Sequence, residues 1–467
     1  MLIKDLLDEK REGWTFDKVL AVMTKDPREL DLKIDDNRKA YDGDHAILHD
    51  PRRQPKTLGE GTAAREVDYT REVLQFQKRI VGSAVTFLFG DPVKLVLNDD
   101  GDEDAFQRVE DVWRRNKLAF IDKIIARDLF VECKVAELWY IPQKELGKPA
   151  RTRVAVLSKR TGYSIYPHFD EYGDMDAFTA KYKTQDDQDK PVQNVDIYTS
   201  DVIINAIKPE SQGWTTTSVK NMLGKIPVVY YEQQEPEWEP VKTEINRAEK
   251  LICNFGDTND YFGSPVLQVK GTVTNLPRKE DSGKVVTVAS ETDDQGKVYY
   301  PGGIEFVTWE QGPEAVEKEY ALLKDIIYGL TSTPDLSFSN VKGMTQLSGI
   351  ALRLMFSDAL FKAKDKQEIF GPAMDRRLSI VKDMLGVISF KDTAAIQALV
   401  IDFEFGDVLP EDVTAMVEAL SVARAGQPIM SQESAVRQNS LVTNPEDDLK
   451  ALEAEDRQVK SLAESYA

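Results

Sequence analysis

The stretch PVKTEINRAEKLICNFGDTNDYFG, residues Pro240–Gly263, spaces its apolar side chains Val241, Ile245, Ala248, Ile252 and Phe255 at intervals of 4, 3, 4 and 3. Those intervals put all of them on one helical face, while the remaining positions are mostly polar or charged. The same spacing returns in Pro313–Leu330, at Val316, Tyr320, Leu323, Ile327 and Leu330. Pro313 suits a first helical turn and Glu314 suits the positive helix N-terminus.

Between the two helices, residues 264–312 read as strands: VLQVKGTV, KVVTVAS, GKVYY and IEFVTW. Pro277, Ser282-Gly283, Gln295-Gly296 and Pro301-Gly302-Gly303 separate them as turns. The pattern predicts a small β module mounted on the tips of two matched helices. Each stripe rises only about 21 Å, so the pair buries little by itself. Identical neighbours in a ring would supply the missing cover. Gly256 and Gly263 are weak helix formers, so an early stop or a kink near Gly256 is expected.

Outward from this segment the chain is mixed. Residues 1–50 read as largely helical, with a stop at Asp42-Gly43. A polar Pro/Gly-rich loop, DPRRQPKTLGEGT (residues 50–62), precedes an amphipathic helix carrying Val73, Phe76, Ile80, Ala84, Phe87 and Leu88. Helices are predicted over 103–115 and 119–132, and strand-like sequence begins at 134–142. Residues 151–231 alternate as an antiparallel sheet unit closed by PVVYY. Beyond the second striped helix, TSTPDLSFSNVKGM (residues 331–344) has no period and reads as a loop. Residues 345–370 predict one helix apolar over most of its circumference, hence buried on several sides. Gly371-Pro372 predicts a kink, with helix resuming to about Leu385. LVIDFEF (residues 399–405) reads as a strand returning to a sheet, and residues 410–467 as acidic, broken helix.

The bulk numbers narrow the function. At 467 residues the chain expects two to four structural units, and 41% hydrophobic with 30% charged content suits a folded protein. No apolar run approaches the roughly 20 residues of a bilayer span, and the N-terminus lacks a signal-peptide core, so no membrane role and a cytosolic origin are expected. Cys133 and Cys253 lie in apolar contexts and read as reduced core thiols. His45 and His49 are four apart, but turn-like Asp50-Pro51 follows, so no metal site is expected there. Asp35-Asp36, Asp99-Asp100 and Asp293-Asp294 read as solvated turn carboxylates.

The net charge is −20. A chain that grips nucleic acid usually carries a basic patch, so here nucleic acid is either irrelevant or handled without tight contact. Phosphate loops, dinucleotide fingerprints, HExxH and GxSxG motifs are missing from the sequence, so neither catalysis nor a cofactor is expected.

Several stretches in this order resemble the portal proteins of tailed double-stranded DNA bacteriophages, of the siphophage type. They are NRKAYDGDHAIL (37–48), QKRIVGSAVTFLFGDPVK (77–94), GKIPVVYY (224–231), TPDL (333–336), LSGIA (347–351), KAKDKQEIF (362–370) and PIMSQE (428–433). The resemblance spans roughly residues 35–450. It implies an α+β fold with an α/β wing, a two-helix stem, a small β clip, a long kinked helix and a helical crown.

On that resemblance, residues 1–34 are an N-terminal helical segment and 35–235 the wing. Residues 236–263 and 313–330 are stem helices 1 and 2, flanking the clip at 264–312. Residues 331–344 are the tunnel loop, 345–408 the long wing helix and returning strand, and 409–467 the crown. It implies a homo-oligomeric ring, usually of about twelve subunits, at one capsid vertex. DNA passes through it in packaging and ejection. Terminase large subunit, head-completion or adaptor proteins, and major capsid and scaffolding proteins are the implied partners. The loop residues Ser339, Asn340, Lys342 and Thr345 would face DNA, with Lys342 the one charge between Leu336 and Gly343. Arg278, Lys279, Glu280, Asp293 and Asp294 would meet partners at the clip, and the two stripes would pack the stem. A different virion component, such as an adaptor or scaffold-binding capsid protein, is the alternative, and a nuclease using the acidic pairs is the third reading.

Overall fold

The computed structural model describes residues 14–25, 30–58, 65–98, 101–142, 150–210, 212–263, 266–270, 272–275, 287–292, 298–300, 303–307, 313–336, 349–406, 413–424, 429–439, 441–442 and 444–465. The chain opens with helices α1 (Phe16–Met23) and α2 (Leu30–Asp42), then a ladder of β1 (Lys56–Leu58) with β2 (Arg65–Val67). Next come α3 (Phe76–Phe89), β3 (Lys94–Leu97), α4 (Glu103–Arg115) and α5 (Leu118–Glu132). Strands β4 (Lys134–Tyr140), β5 (Arg153–Leu157), β6 (Tyr163–Phe169) and β7 (Met175–Gln185) follow. They continue in β8 (Pro191–Tyr198), β9 (Val202–Pro209), β10 (Thr215–Lys220) and β11 (Val228–Glu232).

Helices α6 (Lys242–Gly263) and α7 (Pro313–Leu330) enclose β12 (Val266–Lys270), β13 (Thr272–Asn275), β14 (Thr287–Ala289), β15 (Glu291–Thr292), β16 (Val298–Tyr300) and β17 (Gly303–Val307). The chain continues through α8 (Gly349–Met355), α9 (Ser357–Ile388), α10 (Thr393–Ala398) and β18 (Ile401–Glu404). It ends in α11 (Val413–Arg424), α12 (Gln432–Gln438) and α13 (Pro445–Ser465). The fold is α+β.

Local chemistry explains the sharpest boundaries. Asp102 caps α4 by accepting from the Ala105 amide, with Glu103 and Asp104 in the first turn and Arg114 and Arg115 in the last. Helix α5 ends where Cys133 adopts a left-handed conformation, at φ 65°. Its Ile125, Ala126, Leu129, Phe130 and Val131 are fully enclosed, so α5 is the spine of the main core. Around it gather α3 (Ile80, Val81, Leu88), β4 (Val135, Trp139) and α9 (Phe370, Met374, Ile380, Val381).

The β region divides differently from the single sheet unit expected over 151–231. Strands β6 to β10 form one antiparallel sheet in the order β10-β9-β8-β7-β6, while β5 and β11 flank β4 in another. The reason is β4, which inserts between them and pairs Ala136 with Leu157 and Leu138 with Val228. Neighbouring residues of the larger sheet serve opposite faces, as a strand period of two requires. Ala177 and Ile197 pack under α1 with Phe16, Val19 and Met23. Phe178 and Tyr198 pack toward Leu157, Ile226 and Val228 of the smaller sheet. Far from both, β18 pairs with β3, matching Ile401 with Leu97. Gly406 then passes so close to Asp91 that a Cβ there would lie 2.3 Å from the Asp91 Cβ.

Helix predictions after residue 345 need correcting. The single helix expected up to Phe370 breaks at Phe356, whose φ of −99° and ψ of 7° end α8 and start α9. The Phe356 ring packs beside Phe87, 5.9 Å between centroids. Helix α9 carries Pro372 inside it and, as expected, continues beyond Gly371-Pro372, here to Ile388. Pro372 is exposed, so the carbonyl it cannot serve meets water, while Phe370, Ala373 and Met374 stay buried beside it. The expectation of burial on several sides also fails within one chain, because Leu354, Met355 and Phe361 are exposed.

One buried ionic cluster ties these layers together. Arg377 of α9 is wholly enclosed. Its Nε donates to both carboxylate oxygens of Glu137 at 2.9 and 3.1 Å, and its Nη2 to Asp122 at 2.6 Å and to the Tyr231 hydroxyl at 3.2 Å. Burial pushes both carboxyls up, and the guanidinium opposes that push. A second cluster joins α2, α5 and the turn after β5. Asp128 accepts from Arg160 and from the Ser158 hydroxyl at 2.8 Å each, and Glu132 accepts from the Lys159 amide at 2.7 Å. Burial, then the charge of Asp128, pushes the Glu132 carboxyl up to about 7.

Two outcomes follow. Arg377→Met leaves two buried carboxyls without a counter-charge and should cost about 3–5 kcal/mol in urea unfolding, since that is what breaking a buried pair costs. Adding Asp122→Asn and Glu137→Gln should return most of it; an unchanged midpoint in the single variant would refute the cluster's role. Glu132 binds its proton more tightly folded (about 7) than unfolded (4.5), so its contribution is greatest below the lower value and falls as pH rises through the higher. Glu132→Gln should therefore flatten the loss of stability between about pH 5 and pH 8, by roughly 2 kcal/mol. Parallel melting-temperature profiles for the two proteins would exclude this.

Candidate functional site

The paired helices α6 and α7 and the junction beneath them form the candidate site. The first stripe runs from core to surface: Val241, Ile245 and Ala248 are fully buried, whereas Ile252 and Phe255 are partly covered. In the second, Ile327 is buried while Val316, Tyr320 and Leu323 are partly covered, and Leu330 is exposed. Val241, Ile245, Ala248 and Ile327 join the main core beside Trp238, and Tyr320 and Leu323 pack against its edge. An ion pair from Arg247 to Glu319, at 2.7 Å, bridges the two helices farther along.

A second face of α6 escaped the sequence analysis because it is polar. Glu249, Cys253 and Asp257 repeat every four residues and meet the segment before α3. Glu249 accepts from the Leu74 amide at 3.0 Å and pairs with buried His45. Burial pushes the His45 imidazole down, but its bond to Glu249 and that carboxylate's charge outweigh this and raise it. Cys253 Sγ accepts from the Glu72 amide at 3.1 Å, and Asp257 accepts from the Thr70 amide at 2.7 Å and from Arg53 at 2.8 Å. The expected stop or kink at Gly256 is absent as a stop, for α6 continues to Gly263. A Cβ on Gly256 would lie 3.0 Å from Thr70, so the glycine permits this close approach.

At the root of α6 and α7 the chain concentrates charge. Glu237, largely enclosed, pairs with Lys362 at 2.6 Å and with Lys366. Burial pushes its carboxyl up, but the two ammoniums outweigh burial and hold it below the usual range. Lys362 also donates to the Thr331 carbonyl at 2.9 Å, and Lys366 to Gln233 at 3.1 Å. Both lysines are thus held within their own chain. The i,i+4 spacing of Lys362 and Lys366 was legible, but their acid lies more than a hundred residues away.

The β module between the helices consists, among the described residues, of two-stranded antiparallel ladders: β12 with β17, β13 with β14, and β15 with β16. Arg278, Lys279, Glu280, Asp293 and Asp294 lie outside the described residues, as do Ser339, Asn340, Lys342 and Thr345. His45 and His49 go to separate carboxylates, Glu249 and Asp44. Among the described residues there is no cluster of His, Cys, Asp or Glu suited to a metal ion, and no helix long and apolar enough to cross a membrane.

Among curated proteins no relative matches this chain. Among solved structures, a chain of one titled "Virion of native gene transfer agent (GTA) particle" is similar at 10% identity. The likeness covers 77% of this chain and 89% of that one, with a TM-score of 0.37, too loose to argue from. The family model described as phage portal protein, SPP1 Gp6-like, matches residues 25–462, and a match of that extent places the chain in this family of phage portal proteins.

Proposed function

We propose that the protein is the portal subunit of a virion, forming a ring at one capsid vertex through which DNA is packaged and ejected. The ring also serves as the docking platform for terminase large subunit and for the head-completion or adaptor proteins, with major capsid and scaffolding proteins around it. Residues 35–235 with 345–408 are the wing, α6 and α7 the stem, 264–312 the clip, 331–344 the tunnel loop and 409–467 the crown. The role is structural, and the protein stays in the virion after assembly in the host cytoplasm. The ring holds about twelve subunits, as closed heterologous contacts allow.

One observation carries this reading beyond the family match. Helix α7 is apolar on two sides. Its Ile327 and Leu323 face the chain's own core, while Leu322, Ile326 and Leu330, at i, i+4 and i+8, are 61, 36 and 62% exposed. Leu354 and Met355 of α8 and Phe361 of α9 are exposed as well. A patch of this kind marks a protein–protein contact, and an identical neighbour in a ring would cover it. The charge of −20 supports a channel that passes DNA without holding it, because every cationic phosphate contact adds salt-dependent affinity. On this reading Lys342, with Ser339, Asn340 and Thr345, gives DNA transient contact, and Arg278, Lys279, Glu280, Asp293 and Asp294 meet partners at the clip.

The double variant Leu322→Asp, Leu330→Asp should keep its circular dichroism but form no rings in negative-stain images, losing about 1.5–3 kcal/mol of burial per side chain. Rings at wild-type abundance would show that the stripe is not the subunit contact. Deleting Gly271–Thr308 should leave rings intact and abolish capture of the terminase large subunit. If that deletion prevents rings, the clip is an assembly element instead.

A further inference from the structure

A cavity of 470 Å³ opens between α4, the residues leading into β5 and the end of α9, remote from the stem. Four guanidinium groups line it: Arg108, Arg115, Arg151 and Arg153. In a chain with twenty more acidic than basic side chains, this is an inverted local balance. Two of the four are partly spent. Arg108 pairs with Asp392, and Arg115 pairs with Asp111, another lining residue, at 3.0 Å. Arg151 and Arg153 have no carboxylate partner among the described residues.

Beneath them lies Thr152, only 7% exposed. Its hydroxyl is buried and without a hydrogen-bond partner among the described residues, although its own carbonyl accepts from Asn116 at 3.1 Å. The cavity has the size of a small-ligand site, well beyond one water at about 30 Å³.

We propose that this cavity binds a phosphate group, held by the alternating, same-side pair Arg151 and Arg153. The ligand class follows from counting acceptors. A carboxylate has two oxygens and is matched by one bidentate arginine, whereas a phosphate group offers more oxygens and greater charge, matching two forks at once. The phosphate comes either from a free phosphate compound or from the backbone of duplex DNA. The inference stands apart from the ring: a failure here leaves the portal reading untouched, and the reverse is also true.

The test uses the full chain. Inorganic phosphate is titrated by calorimetry at low salt, and a fluorescent duplex oligonucleotide by anisotropy. The double variant Arg151→Gln, Arg153→Gln should weaken phosphate binding about tenfold or more, since each lost bidentate contact to phosphate removes affinity of that order. Arg457→Gln, an exposed arginine far along the chain, serves as the charge control and should change nothing. Duplex binding that free phosphate displaces, and that the double variant loses, identifies DNA as the source. Phosphate binding without duplex binding identifies the free compound. No heat with inorganic phosphate, or equal weakening by Arg457→Gln, overturns the proposal.

Discussion

The enclosed guanidinium of Arg377 is the constraint on which the rest of the molecule depends. Its neighbours come from α5 (Asp122), β4 (Glu137) and β11 (Tyr231), segments that the chain places far apart. A charge in that position is tolerable only if all of these groups arrive together, because an uncompensated buried ion is far more costly than an unfilled apolar contact. The cluster therefore selects one register among helix, sheet and α9. The same core receives Trp238, Val241, Ile245 and Ala248, so the direction in which α6 leaves it is set by the same packing.

Elements defined by local periodicity were legible in the sequence. The helix expected over 103–115 matches α4, because an acidic start, a basic end and an apolar face all agree there. The stripes of α6 and α7 were legible for the same reason. What depends on partners distant along the chain was not. Arg377 sits in the run DRRLS and reads as helix surface, and nothing near Glu137 in KVAELWY announces a buried base pairing with it. Strand β3 was hidden because its partner β18 lies some three hundred residues on, and a short strand without its partner has no signature stronger than an apolar run. The split of α8 from α9 arises from one tertiary ring contact at Phe356, which helical spacing does not encode.

The candidate site shows the same division at finer scale. Its apolar half was legible as intervals of three and four. Its polar half, Glu249, Cys253 and Asp257 against residues 70–74, uses backbone amides as partners, and those carry no identity in a sequence. The glycine at 256 looked like a weakness in the helix. In the fold it is a matter of spacing, which lets α6 lie against Thr70.

The ammonium of Lys362 is bonded at once to Glu237, just before α6, and to the carbonyl of Thr331, just past the end of α7. Helices α6 and α7 are therefore both coupled to α9 through one side chain, in addition to their covalent connections. One shared ammonium therefore fixes the roots of both helices to the same turn of α9.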